Sequence, residues 1–186
     1  MPQVLKRDRE QFEKWVQEYH LGLYRHALWM TSRSDVAEDC VQETYYRAWN
    51  ARKSLKDKNK VFSWLLTILR RTVYKEYEQR GRNIEFTQDS PTDMIAIDEY
   101  KDQGELLDLV KAMKTLSTSH RDILLLHTLH GFTYQEISDI LEIPMGTVMS
   151  RISRARAALD DALNTTTPNV KKATVVSLKQ GPSHNE

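Results

Sequence analysis

Apolar side chains in the first part of the chain recur at three- and four-residue steps, the spacing that places them on one face of a helix. One stripe covers about residues 9–31, a second residues 35–49, and a third about residues 61–79. The second stripe follows Ser34 and Asp35, either of which can cap a helix. The pattern predicts three helices. The first is defined by Phe12, Trp15, Val16, Tyr19, Leu23, Ala27 and Leu28.

In the second half of the chain apolar residues keep the helical spacing, but signals for the start and end of a helix are more frequent. One apolar helix is predicted over residues 106–116 and the next from a capping start at Ser119. Residues 133–136 have the composition of a capping box at the head of a short helix. Pro144 suits the first turn of the final helix, predicted over residues 147–163. A short helix, a tight turn and a second helix with basic residues form a helix-turn-helix.

The positions of helix-breaking residues and the distribution of charge along the chain define the predicted fold. Proline is absent from residues 3–90, and two-residue alternation is not sustained outside the C-terminal tail, so the chain is predicted to be all-α. Residues 1–82 carry 17 Lys and Arg against 11 Asp and Glu, whereas residues 83–105 carry one Lys against seven acids. We predict two small helical domains joined by a flexible acidic linker and followed by a disordered tail. In chain order these parts are residues 9–82, 83–105, 106–163 and 164–186.

Composition excludes several classes of protein. The single cysteine, Cys40, rules out a disulfide scaffold, and its place in the second stripe indicates a buried thiol. No apolar run approaches the ~20 residues of a membrane-spanning helix. The charged N-terminus lacks the apolar core of a signal peptide, so we expect a cytoplasmic protein without membrane insertion. His120, His127 and His130 lack further ligands at zinc spacing, and no phosphate loop or nucleophile motif occurs, so we expect neither a cofactor nor enzyme activity.

Two charged surfaces in the first half each allow two interpretations. On the second helix one face is either solvated or docks a basic partner; its residues are Asp35, Glu38, Asp39, Gln42 and Glu43. On the third helix Arg70, Arg71, Tyr74 and Lys75 place cations beside an aromatic ring. That mixture suits single-stranded nucleic acid, because bases stack on rings while cations hold phosphates. Burial in the core is the alternative for rings on the apolar stripes.

The faces of the final helix follow from the ~100° between successive residues. A narrow arc that we expect to pack on the domain contains Val148, Ile152, Ala155 and Leu159. The opposite side carries small and polar residues with one arginine, and no acid occurs from residue 143 to 159. This composition favours entry into the major groove of DNA, where arginine pairs with guanine and flanking arginines reach phosphates. The outward residues are Gly146, Thr147, Ser150, Ser153, Arg154 and Ala157, flanked by Arg151 and Arg156.

These residues resemble a known family. Residues 131–156, GFTYQEISDILEIPMGTVMSRISRAR, resemble region 4 of the bacterial extracytoplasmic-function (ECF) sigma factors of the sigma-70 family. Residues 35–49, DVAEDCVQETYYRAW, resemble their region 2.2. Residues 62–70, FSWLLTILR, are similar to the start of the following helix. The order and spacing of the family are kept over about residues 10–163.

The resemblance implies a sigma subunit that binds core RNA polymerase and directs initiation at specific promoters. The acidic face of the second helix would dock on the polymerase clamp helices, and the polymerase flap is a further implied contact. The loop and third helix would recognise and melt the −10 element, and the final helix would read the −35 element in duplex DNA. The family also implies an anti-sigma factor as a partner.

The resemblance assigns two sets of DNA-binding residues. The −10 set, which would also hold the melted non-template strand, is Lys53, Lys56, Lys58, Lys60, Trp64, Arg70, Arg71, Tyr74 and Lys75. The −35 set is Thr147, Ser150, Arg151, Ser153, Arg154 and Arg156. Within the −10 set, Arg71 and Lys75 differ from the residues that are frequent in the family.

The alternative function is a helix-turn-helix regulator with an unrelated N-terminal helical domain. Such a regulator would bind DNA without replacing a polymerase subunit. The acidic helix and the tryptophan-bearing helix after it argue against this alternative. A protein-only adaptor would not need three arginines on an acid-free helix.

Overall fold

The computed structural model describes residues 2–79 and 103–166. The first half contains α1 (Pro2–Thr31), α2 (Ser34–Ala51) and α3 (Val61–Gln79), with 3-10 turns at Arg52–Ser54 and Lys58–Lys60 between α2 and α3. The described ranges contain no strand, which confirms the all-α prediction. The second half contains α4 (Gln103–Thr115), α5 (Thr118–Leu124), a π-helical turn (Leu125–Leu129), α6 (Tyr134–Leu141) and α7 (Met145–Thr166).

Helices α1, α4 and α7 are longer than their apolar stripes. Helix α4 begins at Gln103, inside the predicted linker, and α7 ends at Thr166, inside the predicted tail. An apolar stripe marks only the turns that pack on a core, whereas backbone hydrogen bonds extend a helix into polar turns. The remainder of the predicted linker and tail, residues 83–102 and 167–186, lies outside the described residues.

The starts of two helices differ from prediction. Arg33, with extended backbone, occupies the N-cap position of α2 and provides no side-chain cap, so Ser34 and Asp35 lie inside the first turn. At α5 the cap is Ser117 rather than Ser119, and its hydroxyl accepts a hydrogen bond from a backbone N–H three residues later. Several polar residues in succession make the capping position ambiguous by one or two residues.

Helices α6 and α7 form the predicted helix-turn-helix. The capping box of Thr133 and Glu136 is confirmed, with both reciprocal hydrogen bonds present. Glu142 ends α6 in the left-handed region (φ 56°), which turns the chain sharply, and Pro144 precedes α7. On the inward face of α7, Val148, Ile152 and Ala155 are buried, as the helical angles predicted, whereas Leu159 near its C-terminal end is half-buried.

The two halves pack into one body, with α3 against α6 and α1 against α5. Phe62 of α3 stacks on Phe132 at a ring-centroid distance of 6.0 Å and meets the edge of His130 at 5.2 Å. Gly22 makes room for this ring, because a Cβ at that position would lie 3.0 Å from Phe62 Cζ. Cys40 is buried, as predicted, with 3% of its surface exposed.

In the described part of the chain, no helix is both long and apolar enough to cross a membrane.

Candidate polymerase and nucleic-acid interfaces

The outward face of α7 has the exposure that DNA contact requires. Its residues project away from the buried side of the helix, and the nearest acids in sequence, Glu142 and Asp160, lie before and after it. The face is therefore electropositive along about four turns. Among the residues predicted to bind the −35 element, Arg151, Ser153, Arg154 and Arg156 are exposed, whereas Thr147 and Ser150 are half-buried.

The acidic face of α2 is solvent-accessible. Four of its members are exposed and Glu43 is half-buried; the four are Asp35, Glu38, Asp39 and Gln42. Two acids are paired locally, Asp35 with Arg33 and Glu43 with Arg47 at 2.7 Å. Ion pairs at such exposed positions contribute little to stability, so the acids remain available to a basic partner.

The structure divides the predicted −10 residues among several places. Lys53 and Lys58 line a groove against the N-terminal part of α1, together with Arg7 and Trp15. Lys75 lies on the other side of α3, in a groove shared with the α2 acids. Sequence spacing alone did not reveal this division, because the loop path and the side of α3 facing α2 depend on tertiary packing.

A second group of −10 residues lines a groove between the two halves. Lys56, Lys60 and Trp64 border a cavity of about 380 Å³ whose opposite wall includes Phe132 and Asp139 of the second half. Trp64 is half-buried there and packs against the core. The cavity combines cations with an aromatic ring, the composition that holds an unstacked base.

Arg70 and Tyr74 converge on one buried carboxylate. The Arg70 guanidinium donates from Nε to Asp122 at 2.7 Å, and its Nη2 lies 2.7 Å from the same carboxylate. The Tyr74 hydroxyl donates to Asp122 at 3.2 Å. Burial opposes the charge of Asp122, yet hydrogen bonding from His26 and the positive charge of Arg70 lower its pKa to about 2. Burial, together with the charge of Asp122, raises the pKa of Tyr74, so its hydroxyl stays a donor.

Two histidines continue this buried polar cluster. His26 of α1 is fully buried, with Nε2 3.4 Å from Asp122 and Nδ1 3.2 Å from Nε2 of His130. Burial and the charge of His26 lower the pKa of His130 to about 3. His127 instead directs Nδ1 to the Phe132 carbonyl at 3.2 Å, so the histidines considered as a metal site do not converge. Within the described ranges, no group of three His, Cys, Asp or Glu residues could hold a metal ion.

Arg71 and Lys60 also meet acids of the second half. Arg71 lies 2.6 Å from Glu142, and Lys60 lies 3.9 Å from Asp139. All four side chains are more than half exposed, unlike Arg70 and Asp122. Several predicted DNA contacts therefore have intramolecular partners in this structure.

Sequence reasoning missed the roles of Arg121, Asp122 and His26. Arg121 and Asp122 follow the capping start predicted at Ser119, and only 2% and 1% of their surfaces are exposed. His26 lies beside the apolar positions of α1, but its side chain is polar, so a hydrophobic pattern does not select it. A weak signal was available: two opposite charges follow one another immediately before the apolar stretch of α5.

Comparison with known proteins identifies both halves. The family model for sigma-70 region 2 matches residues 15–83, and the model for sigma-70 region 4 matches residues 106–159. The ECF RNA polymerase sigma factor EcfG of Rhodopseudomonas palustris is 30% identical over 138 residues, 74% of this chain and 76% of the relative. The ECF RNA polymerase sigma-E factor of Escherichia coli is 28% identical over 139 residues, 66% of this chain and 71% of the relative.

Solved structures show the same fold. The sigma factor RpoE from Bartonella quintana, solved with the anti-sigma factor NepR, is 30% identical with a TM-score of 0.67. The match covers 83% of this chain and 98% of that one. CnrH, solved with the cytosolic domain of CnrY, has a TM-score of 0.64 at 22% identity, over 86% of this chain and 91% of that one.

Proposed function

Because this chain belongs to the ECF sigma factors of the sigma-70 family, which bind core RNA polymerase and direct promoter-specific initiation, we propose that its two halves divide that work. Residues 9–82 act as region 2, which docks on the core enzyme and recognises and melts the −10 element. Residues 106–163 act as region 4, which recognises the −35 element. The observation that carries this division is the acid-free outward face of α7 in one half and the acidic face of α2 in the other.

For the −35 element, Ser150 and Arg154 are the proposed readers of base edges. Arg154 projects from the middle of the outward face, where its guanidinium can bond two acceptors of guanine. Arg151 and Arg156 lie toward the sides, which suits phosphates. Thr147 and Ser153 complete the small, polar surface that lets α7 approach the groove closely.

For core polymerase, the acidic face of α2 is the proposed docking surface on the clamp helices, and region 4 is proposed to contact the flap. Glu38 and Asp39 are the strongest contributors, because both are exposed and neither forms an ion pair within the described residues. Complementary charge across such a surface accelerates encounter and fixes orientation. Lys75 shares a groove with this face, so we assign it to the border of the polymerase contact as well as to the −10 set.

For the −10 element, the groove bordered by Lys56, Lys60 and Trp64 is the proposed place for an unstacked base of the non-template strand. Extruding a base costs a few kcal/mol, which contacts in a pocket offset. Lys53 and Lys58 extend positive charge from this groove toward α1, along a path that phosphates can follow. Arg70, Arg71 and Tyr74 continue the surface along α3.

An anti-sigma factor is the further proposed partner. The support is that RpoE, at 30% identity, was solved in complex with the anti-sigma factor NepR. We assign no active site to the chain itself, since an initiation subunit acts through the polymerase it joins. A pull-down from the native host that recovers only polymerase would remove the anti-sigma proposal.

The decisive experiment is transcription in vitro with sigma-free core polymerase and a promoter library. We expect RNA only in the presence of the chain, from templates that share one −10 and one −35 motif. A helix-turn-helix regulator would bind DNA but would not confer synthesis on the core enzyme. Absence of promoter-dependent RNA with active core would refute the proposed function.

A further inference from the structure

We infer that Met149 selects a thymine in the −35 element, by packing its thioether side chain against the C5-methyl group that thymine presents in the major groove. The inference rests on the proposed function, because it takes α7 as the helix that enters the groove of duplex DNA. It deepens that function by adding a base-reading residue whose chemistry differs from that of Ser150 and Arg154.

Two large apolar side chains are exposed on the first two turns of α7. The exposed fractions are 47% for Met145 and 51% for Met149. Among the side chains that the structure describes, just two other large apolar ones are exposed, Leu21 in α1 and Tyr46 in α2. Within the described part of the second half, exposed large apolar groups therefore occur at one place, the start of α7.

The two methionines border the outward face of α7. At ~100° per residue, Met149 lies about 40° from Ser153 and about 60° from Gly146 around the helix axis. Met145 precedes Met149 by one turn on the same side. The neighbours on the outward face are small, and a Cβ at Gly146 would point into open space. Met149 is therefore a long side chain beside small ones, in the N-terminal turns with which recognition helices contact base edges.

The chemistry of methionine matches one base. Thymine is the base that presents an apolar group, its C5-methyl, in the major groove. A thioether has no hydrogen-bond donor and accepts only weakly, so it cannot satisfy the polar groups that guanine, adenine and cytosine present there. The flexible side chain and polarizable sulfur adapt to a small apolar group. Met149 thus favours thymine over cytosine, the pyrimidine that lacks the methyl group.

The charge around Met149 favours DNA as the occupant of this apolar surface. Arg156 lies two turns further along the same side of α7 and Arg151 on the other side, both are exposed, and no acid occurs from residue 143 to 159. Cations placed in this way attract the phosphates on both sides of a groove. The methionines are therefore continuous with the surface proposed to read the −35 element. Because Arg154 lies about 140° from Met149 around the axis, we expect the selected thymine and the guanine bound by Arg154 to belong to different base pairs.

The test removes the methyl group from the DNA and changes nothing else. In a duplex with the preferred −35 element, taken from the promoter library, each thymine is replaced in turn by deoxyuridine, which pairs in the same way but lacks the C5-methyl. Binding of the full chain is measured by fluorescence anisotropy. We expect binding to weaken by about three- to sixfold at one of these positions, the effect of exposing one methyl group that was buried.

Variants of the protein identify the side chain that contacts this methyl group. Met149→Gln keeps the length of the side chain but makes it polar, so it should bind the thymine and deoxyuridine duplexes within about 1.5-fold of each other. Met149→Leu stays apolar and should retain the preference of the parent. Leu21→Gln is the matched control, because it changes an equally exposed apolar residue of α1, and it should behave as the parent. Since about half of Met149 is exposed, none of these variants removes a core side chain.

Selection from the promoter library gives an independent measurement. In transcription directed by Met149→Gln, the recovered −35 motif should lose its preference for thymine at the position that deoxyuridine identifies. The preference for guanine at the position assigned to Arg154 and the −10 motif should both be unchanged.

The outcomes separate this inference from the proposed function. Equal binding of the parent to every thymine duplex and its deoxyuridine counterpart, or a methyl preference that persists in Met149→Gln, would overturn the inference while promoter-dependent transcription continues. Weaker transcription by Met149→Gln with unchanged DNA binding and an unchanged −35 motif would assign Met149 to a protein contact and overturn it too. Absence of promoter-dependent RNA with the parent chain would overturn the proposed function itself.

Discussion

Arg121 is the side chain whose removal we expect to destabilise the fold most. Its guanidinium is buried and donates to the carbonyls that end two helices. At α4 the acceptors are Met113, Lys114 and Leu116, at 2.9, 3.0 and 3.2 Å. At α1 they are Trp29 and Met30, at 3.5 and 2.8 Å. Helix C-termini carry unpaired carbonyls and partial negative charge. The single guanidinium of Arg121 therefore supplies hydrogen-bond donors to the C-termini of both helices and joins the two halves.

The size of the effect follows from these contacts. A hydrogen bond to a charged group contributes about 1.5–3 kcal/mol, and four of the five contacts are 3.2 Å or shorter. Their gross sum, roughly 6–12 kcal/mol, is reduced because burying the guanidinium is unfavourable; the same burial lowers the pKa of Arg121. We expect Arg121→Met to lower the free energy of unfolding by about 3–5 kcal/mol, since it removes the charged donor of four short hydrogen bonds at a buried site, although the Tyr77 hydroxyl still donates to the Met30 carbonyl.

Urea unfolding followed by circular dichroism measures this change directly. At about 2–4 °C per kcal/mol for a chain of this size, the melting temperature should fall by roughly 6–20 °C. Arg156→Met removes an exposed arginine from α7 and serves as the control, with an expected change under about 0.5 kcal/mol. A loss below about 1 kcal/mol for Arg121→Met would show that the carbonyl network does not join the helix ends as argued.

Three further predictions test separate parts of the molecule. Arg154→Ala should cost about 1–3 kcal/mol on duplex DNA with the preferred −35 element; an equal loss on scrambled DNA would assign Arg154 to phosphate contact. Replacing Asp39 and Glu43 by Lys should weaken binding to core polymerase at least tenfold, measured by fluorescence anisotropy, and unchanged affinity would exclude that docking face. Because burial favours the neutral form of His130 in the folded chain, the stability that His130 contributes is present above its ordinary pKa of about 6.5 and is lost as pH falls toward about 3. The free energy of unfolding should therefore fall by up to about 2 kcal/mol from pH 7 to pH 5, and His130→Gln should flatten this dependence.

Titration of the Asp122 carboxyl does not explain a change between pH 7 and pH 5. The titratable groups that face His130 are His26 of α1 and, through it, Asp122 of α5. The pKa of Asp122 is held at about 2, so its stabilising charge is present above its ordinary value near 3.8 and is lost only as pH falls from there toward 2. A change centred below pH 4 would assign the effect to Asp122 instead of His130.

Helix content and the helix-turn-helix could be predicted from the sequence because both depend on local spacing. The capping box at Thr133 and the buried face of α7 are examples, since each needs only residues within a few turns. The outward face of α7 followed from the same helical geometry. Separation into two domains was also predicted, from the charge distribution and the positions of helix-breaking residues. Two distinct family models match the two halves.

The contact between those domains could not be predicted in the same way. Arg70 and Asp122 are 52 residues apart, and no period or motif connects a basic residue of one helix to an acid near the start of another. Lys75 illustrates the same limit. Tyr74 and Lys75 are consecutive residues of α3, yet Tyr74 contacts Asp122 whereas Lys75 lies beside the acids of α2. Burial of charge results from tertiary packing, and a pattern of apolar residues contains no information about it.

The same chemistry explains why this interface is specific. A core of apolar residues alone would hold the halves together without fixing their relative placement. Asp122 fixes it, because the guanidinium of Arg70, the hydroxyl of Tyr74 and the ring of His26 all meet this one carboxylate. Since burying the acid is costly unless those partners are in place, a shifted packing of the two halves would leave a buried charge unpaired.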